Sequence, residues 1–344
     1  MDLVSTGFDA SAWRGRRVFV TGANGFLGSW LTRLLVDAGA TVVCLIRDQM
    51  PLSLFNREGT IDRVVLVPGM LEDYGTLERA LNEFEIEACF HLAAQAIVTT
   101  AQRLPLSTFQ SNIAGTYNLL EAARRYGRLE RLVVMTSDKV YGDHTRLPYT
   151  EDGELLGINP YDVSKVCGDL LTQCYVRTYG LPAGIARCGN LYGPGDLNFS
   201  RIVPGTIRSL LDGKRPEIRS DGSYVRDYFY VGDAAEALLT LGQELHRPEV
   251  RGQAFNFGTE EPMEVVQIVN LLRGMAGRLD LEALILNTAR AEIKAQYLAC
   301  EKARRVLGWR HRTDVATGLK TTFEWYEHDF AADPASSLAE STGR

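Results

Sequence analysis

The sequence predicts an α/β fold, a doubly wound parallel sheet with a smaller mixed lobe attached. Short β-branched runs, apolar on both faces, alternate with longer stretches of helical period. A glycine-rich turn follows the first of these runs directly, and after Arg187 the texture changes to Gly, Pro, Asn and Arg. With 344 residues, 45% hydrophobic and 23% charged, the chain has ordinary globular composition, which excludes disorder as its main state.

Val18 to Val20, Val42 to Ile46, Val64 to Val67, Cys89 to Leu92 and Leu132 to Met135 read as five buried strands. Amphipathic stretches at Trp30 to Ala38, Leu77 to Phe84 and Thr116 to Tyr126 lie between them as helices. A long helical pattern from Pro160 to Tyr179 and a strand near Gly184 to Arg187 follow, so the sheet should have six or seven strands. Beyond Arg187, helical stretches at Val203 to Leu211 and Pro262 to Ala276, with the segment Ala299 to Leu307, build the smaller lobe.

Acidic residues number 43 against 37 basic, giving a formal net charge of -6, and no Lys/Arg run is present. That balance argues against nucleic acid as a partner. No apolar run approaches the ~20 residues needed to cross a bilayer, and the amino terminus lacks a basic-then-apolar signal pattern. The expected location is cytoplasmic, with no membrane partner. The six cysteines are scattered without a C-x-x-C, and the five histidines add no ligand spacing, so the thiols read as buried and no metal is expected.

The turn after the first strand is Thr21-Gly22-Ala23-Asn24-Gly25-Phe26-Leu27-Gly28, and a helix follows it. Glycines at this spacing let backbone N–H groups and a helix N-terminus approach a pyrophosphate, which points to a dinucleotide. Arg47 and Asp48 end the second strand. An acidic side chain there accepts from the adenosine ribose and favours NAD, whereas an arginine suits the extra phosphate of NADP. The reading is NAD, with NADP still open. The expected organisation is a tail at 1–12, a dinucleotide-binding domain at 13–188 plus about 226–258, a substrate-binding lobe at 189–225 and 259–330, and a tail at 331–344.

Several motifs occur in a fixed order: Thr21 to Gly28, Phe90-His91-Leu92-Ala93-Ala94, Asn112-Ile113-Ala114-Gly115-Thr116, Tyr161-Asp162-Val163-Ser164-Lys165, Arg187 to Gly193 and Arg226-Asp227-Tyr228. In these the chain resembles the nucleotide-sugar epimerases and dehydratases of the extended short-chain dehydrogenase/reductase superfamily, with its Rossmann-like fold. Thr136-Ser137-Asp138-Lys139 is most similar to the CDP-glucose 4,6-dehydratases. The chain departs from their pattern at Ala23, Asn24, Leu27 and Met70. The resemblance implies a lyase that keeps NAD bound, acts on a nucleotide sugar and forms a homodimer. That dimer would pair the Tyr-x-x-x-Lys helix with the helix at Thr116 to Tyr126. The cofactor contacts it implies are Gly22, Asn24, Gly25, Phe26, Leu27, Gly28, Arg47, Asp48, Leu71, Leu92, Ala93, Ala94 and Asn112, with Tyr161 and Lys165.

Tyr161 and Lys165 share one helix face, one turn apart. An ammonium beside a phenol favours the phenolate, so Tyr161 is the candidate general base at the sugar 4-hydroxyl, with Ser137 hydrogen-bonding the same oxygen. The resemblance places Asp138 as the acid that protonates the departing C6 hydroxyl, which requires a raised pKa. Lys139 has two possible roles: base at C5, if desolvation or a nearby cation such as Lys165 lowers its pKa, or charged stabiliser of the enolate. If Asp138 and Lys139 only solvate a strand end, the chain reads as a 4-epimerase instead. A dinucleotide sensor would need no phenol–ammonium pair. Gln95, Asn190, Arg201 and Arg226 are the candidate substrate contacts, Arg226 suiting a bidentate grip on the diphosphate. His91 reads as a packing residue.

Overall fold

The computed structural model describes residues 8–144, 146–289 and 292–332. In chain order its strands are β1 (Arg17–Thr21), β2 (Thr41–Ile46), β3 (Val65–Pro68), β4 (Ala88–His91), β5 (Arg131–Ser137), β6 (Ala183–Cys188) and β7 (Asn190–Tyr192). They continue with β8 (Glu217–Ile218), β9 (Val225–Tyr230), β10 (Ala254–Phe257), β11 (Pro262–Glu264), β12 (Leu284–Ile285) and β13 (Ala295–Gln296). The first helices are α1 (Phe26–Asp37), α2 (Leu54–Arg57), α3 (Tyr74–Glu83), α4 (Val98–Arg103), α5 (Pro105–Phe109) and α6 (Gly115–Tyr126). The rest are α7 (Pro160–Tyr179), α8 (Ile202–Leu211), α9 (Val231–Glu244), α10 (Val265–Met275), α11 (Glu301–Leu307) and α12 (Val315–Ala332).

Seven strands pair in parallel in the order β10-β6-β5-β4-β1-β2-β3. Alternation of side chains along each strand supplies both faces of this sheet. Val18 and Val20 of β1 enter one apolar cluster with Leu31 and Leu35 of α1 and Leu238 of α9. Phe19 enters another with Leu77 and Leu81 of α3 and Leu119 and Leu120 of α6. The chain winds outward from β1 through β2 to β3, then returns to β4 on the other side. That reversal opens a crevice at the carboxyl ends of β1 and β4, where doubly wound sheets bind ligands.

A second sheet stands beyond the carboxyl end of β6: β9 pairs with β7, β11 and β13. Its own core joins Tyr192 and Tyr228 to Val203 and Ile207 of α8, Ile268 and Leu272 of α10, and Leu319, Phe323 and Tyr326 of α12. Asp227, fully buried, pins β9 by accepting from Thr259 Oγ1 at 2.6 Å and Thr259 N at 2.9 Å.

Several expectations change. The third strand is not buried on both faces: β3 is the sheet edge, and Val65 and Leu66, consecutive and so on opposite faces, are both exposed. The helical pattern expected from Pro262 begins at Val265, since Pro262–Glu264 pairs with β9 as a strand. Helix α9 and strand β10 were not read as elements, and β10 is the seventh strand of the sheet. Four cysteines are buried, but Cys167 is half-buried and Cys174 exposed, both on the outer turns of α7. The expected tails at 1–12 and 331–344 fall partly outside the described residues. Within them, Phe8 is buried against the first core cluster and α12 continues to Ala332.

Candidate active site

One cleft of about 840 Å3 runs from the glycine turn, across the ends of β1, β4 and β5, to the second sheet. Gly22, Asn24, Gly25, Phe26, Leu27, Gly28, Arg47, Asp48, Leu71, Leu92, Ala93, Ala94, Ser137, Asp138, Lys139, Tyr161, Asn190, Arg201 and Arg226 all line it. Residues from both sheets thus meet in one cavity.

At one end, the turn is built for close backbone approach. Gly22 lies at φ 77°, and a Cβ there would come within 2.7 Å of Ala93 N; a Cβ on Gly28 would fall 1.9 Å from Gly22 O. Helix α1 starts with Gly25 as its cap and no side-chain cap hydrogen bond. Its first N–H groups therefore keep their donors for an anion, and the cradle fits a dinucleotide pyrophosphate. Asn24 Nδ2 donates to Asp48 O at 2.7 Å, and Arg47 Nε donates to the Asp48 carboxylate at 2.5 Å. Behind the turn, His91 bridges Thr21 Oγ1 at 2.8 Å and Thr116 Oγ1 at 3.0 Å. Burial, and the charge of Lys165, pull its imidazole down to about 3, so it is a neutral tie between β1, β4 and α6.

The centre of the cleft holds the reactive groups. Ser137 ends β5, and its Oγ donates to Asp138 Oδ1 at 2.9 Å. Asp138 is 1% exposed and its Oδ2 finds no partner among the described residues. Burial pushes its carboxyl above the usual range, against the opposing pull of Lys139, Ser137 and Arg226. Lys139, next in sequence, donates a hydrogen bond from Nζ to Gln296 Oε1. Burial pulls its ammonium down, helped by the like charge of Arg226 and opposed by Asp138, Asp162 and Glu292. The like charge expected from Lys165 therefore comes from Arg226.

Tyr161 also differs from expectation. Its phenol is pushed up by burial and by Asp138, while Arg201 and a hydrogen bond with Ser137 work the other way. Lys165 instead donates to Met135 O at 3.1 Å, and burial lowers its ammonium to about 8. The shifts are linked. Once Asp138 holds a proton its repulsion of a phenolate vanishes, leaving burial and the smaller effect of Asp162 against Arg201 and Ser137.

The second sheet supplies the far wall. Arg226 donates from Nη1 to Val225 O at 2.8 Å and to Lys294 O at 3.1 Å, so its fork is held in place by backbone. Asn190 Nδ2 and Tyr228 Oη, opposite each other in the β7–β9 register, are buried without partners among the described residues. Arg201 is engaged with both oxygens of buried Asp196, at 3.0 and 2.9 Å.

Three expected site residues do not line the cleft: Gln95, Asn112 and Lys165. Asn112 Oδ1 accepts from Gln95 N at 2.7 Å, and its Nδ2 donates to Gln95 O at 3.0 Å and Ser164 Oγ at 2.9 Å. It ties the loop after β4 to α7. Tyr228, Asp162, Glu292 and Gln296 belong to the site region but were not singled out. Tyr228 was readable, because it lies two residues past Arg226 on the same strand face. Gln296 had no local signal, since only the pairing of β13 with β9 brings it to Lys139. Among the described residues no group of three or more His, Cys, Asp or Glu could hold a metal ion.

The sequence matches the NAD dependent epimerase/dehydratase family over residues 18–258. It is 31% identical to the CDP-glucose 4,6-dehydratase of Salmonella typhimurium over 335 residues, 93% of this chain and 92% of that protein. It is 29% identical to a dTDP-glucose 4,6-dehydratase of Escherichia coli over 90% of this chain and 92% of that protein. Among solved structures, it is similar to the dTDP-glucose 4,6-dehydratase of Streptomyces venezuelae crystallised with NAD. There the TM-score is 0.84 and the identity 27%, covering 92% of this chain and 98% of that one. It is also similar to the UDP-glucose 4-epimerase of Thermotoga maritima with UDP-glucose, at TM-score 0.83 and 28% identity over 91% and 99% of the two chains. A glycine cradle that admits no Cβ, an acid–lysine pair on a shared cleft and these likenesses agree: the chain belongs to the NAD dependent epimerase/dehydratase family.

Proposed function

We propose that the protein is a nucleotide-sugar 4,6-dehydratase, and that CDP-glucose is its substrate. It would yield the 4-keto-6-deoxy sugar nucleotide. The observation that carries this reading is the Asp138–Lys139 pair. The neutral pair and the ion pair hold the same number of protons, so pH does not choose between them, but burial favours the neutral form in which Asp138 can give a proton and Lys139 accept one. A 4-epimerase has no use for such a pair beside its reacting carbons. The choice of CDP rests on Ser137-Asp138-Lys139 and the similar CDP-glucose enzyme.

Bound NAD would supply hydride-transfer chemistry, oxidation at the sugar C4 and reduction at C6. The residues that would hold it are Gly22, Gly25 and the first turn of α1 at the pyrophosphate, and Asp48 at the ribose. Tyr161 takes the 4-hydroxyl proton, with Ser137 donating to the same oxygen. The resulting ketone acidifies C5–H, Lys139 removes that proton, and the unpaired Oδ2 side of Asp138 protonates the leaving C6 hydroxyl. Lys139 gives its proton back to C5 as C6 is reduced, and the proton held by Tyr161 restores Asp138. Arg226 and Asn190 hold the nucleotide diphosphate and a sugar hydroxyl from the second sheet. Gln95 and Asn112 act through the loop they brace. The cofactor falls to 13–188 with α9 and β10, and the sugar nucleotide to 189–230 with 259–330; the boundary expected at 226 moves because β9 pairs with β7, β11 and β13 and not with the large sheet.

Incubation with CDP-, UDP-, GDP- and dTDP-glucose, followed by mass spectrometry, is expected to show loss of one water from CDP-glucose. An unchanged mass with an altered C4 stereocentre would replace this reading by epimerisation. Gly28→Ala forces a Cβ onto Gly22 O, at 1.9 Å, and about 1–3 kcal/mol of strain is expected there. NAD titration should then show affinity reduced about ten- to a hundredfold; wild-type affinity would refute the cradle.

The proposal includes a homodimer through α6 and α7, supported by Tyr117 and Leu170, large apolar side chains exposed on those helices. Light scattering should give twice the 38.2 kDa chain mass. It also includes a cytoplasmic location, supported by free thiols at all six cysteines, a pattern that suits a reducing compartment.

A further inference from the structure

Gln296 is fully buried on β13, directly opposite Arg226 of β9 in the sheet register. Its Oε1 accepts from Lys139 Nζ, and its Nε2 has no partner among the described residues. In this orientation Oε1 accepts an N–H from Lys139 whether the side chain is an amine or an ammonium, since both carry N–H donors. A buried amide left half-satisfied costs free energy. Its place beside the acid–lysine pair calls for a reason other than stability.

We propose that Gln296 is a positioning residue for Lys139, an uncharged acceptor that the second sheet lends to the first so that the amine is held in place without being locked into its protonated form. A carboxylate at this position would hold the amine equally well but would fix its proton. An aliphatic side chain would leave the amine without an anchor. Glutamine orients one N–H and leaves the nitrogen lone pair for the C5 proton. The charged groups facing Lys139 are Asp138 beside it, Asp162 of α7, Arg226 of β9 and Glu292 of the segment before β13. A further carboxylate would therefore join three existing ones and outweigh the single arginine. Because β13 is hydrogen-bonded to β9, the anchor of Lys139 and the cation proposed to grip the diphosphate move as one piece.

The kinetic half of the test rests on the dehydratase reading; the other half does not. In protein labelled with 13C at lysine Cε and assigned with Lys139→Arg, NMR titration without any sugar should show the Lys139 midpoint raised by about one pH unit or more in Gln296→Glu. In Gln296→Leu, which removes an acceptor from the ammonium, the midpoint should fall. With CDP-glucose, Gln296→Leu should lower kcat about tenfold or more while KM changes less than about twofold. In Gln296→Glu the acidic limb of the kcat profile should move to higher pH. Equal midpoints in wild type and both variants would overturn the inference, as would unchanged kcat profiles in an active enzyme. If Gln296→Glu does not fold, the Leu variant decides alone. A wild type that dehydrates none of the sugar nucleotides overturns the dehydratase reading instead, and the NMR midpoints still test the anchor.

Discussion

Tyr161→Phe is expected to lower turnover about 10²–10⁴-fold and to leave binding of NAD and of the sugar nucleotide close to wild type. The phenol lies in the cleft near Ser137, whose Oγ donates to Asp138 Oδ1. The substitution removes one oxygen, keeps the ring, and leaves the hydrogen bond from Ser137 to Asp138 in place. Nothing in the glycine turn or in the grip of Arg226 depends on that oxygen, so calorimetric titration should report little change. Undiminished kcat in the variant would remove Tyr161 from the chemistry. The profile of the wild type carries a second mark of the same arrangement. Lys139 must be free of its extra proton, so activity falls on the acid side. Asp138 must hold its proton, so activity falls again on the alkaline side, above a carboxyl range already raised by burial.

Asp169→Ala is expected to destabilise the fold by about 3–5 kcal/mol. Asp169 sits on α7 one turn beyond Lys165, and its carboxylate receives Arg187 Nε at 2.8 Å and Nη2 at 3.0 Å. Both side chains are withdrawn from water, at 0% and 3% exposure. Arg187 also donates to Tyr141 Oη at 2.9 Å, and Tyr141 Oη in turn donates to Asn256 Oδ1 at 2.7 Å on β10. Removing the carboxylate strands a guanidinium among these groups. Denaturant unfolding of the apoprotein should show a lower midpoint. The double variant Asp169→Leu, Arg187→Met should recover most of the loss, because the penalty comes from the uncompensated charge. A midpoint unchanged in the single variant would show that the pair contributes nothing.

The large sheet was legible because its pattern is local. Val18, Phe19 and Val20 need only be apolar to be buried on both faces, and the glycine turn needs only its own spacing. Tyr161 and Lys165 fall on one helix face by the same arithmetic. What escaped was long-range. The edge position of β3 depends on which strand is absent beside it, which no run of residues states. The helix at Val231–Glu244 is apolar on most sides and follows a strand without a break, with no side-chain cap to mark its start. The source of the charge beside Lys139 differs from expectation for the same reason: Lys165 lies on the motif helix, whereas Arg226 arrives through a second sheet, as does the uncharged Gln296. Asn112 resembled a ligand contact, and its amide is instead occupied by backbone and Ser164.

Strand β9 places Arg226 and Tyr228 on the cleft and Asp227, between them, on the side anchored by Thr259. A shift by a single position would reverse that assignment, pointing a carboxylate into the cleft and stranding a guanidinium in the anchor. Evolution can thus exchange side chains along this ribbon to alter which sugar is accepted, but it cannot lengthen or shorten the ribbon by one without inverting the sign of the wall. Diversification in descendants of this chain should accumulate as point replacements here and as insertions only in the loops on either side.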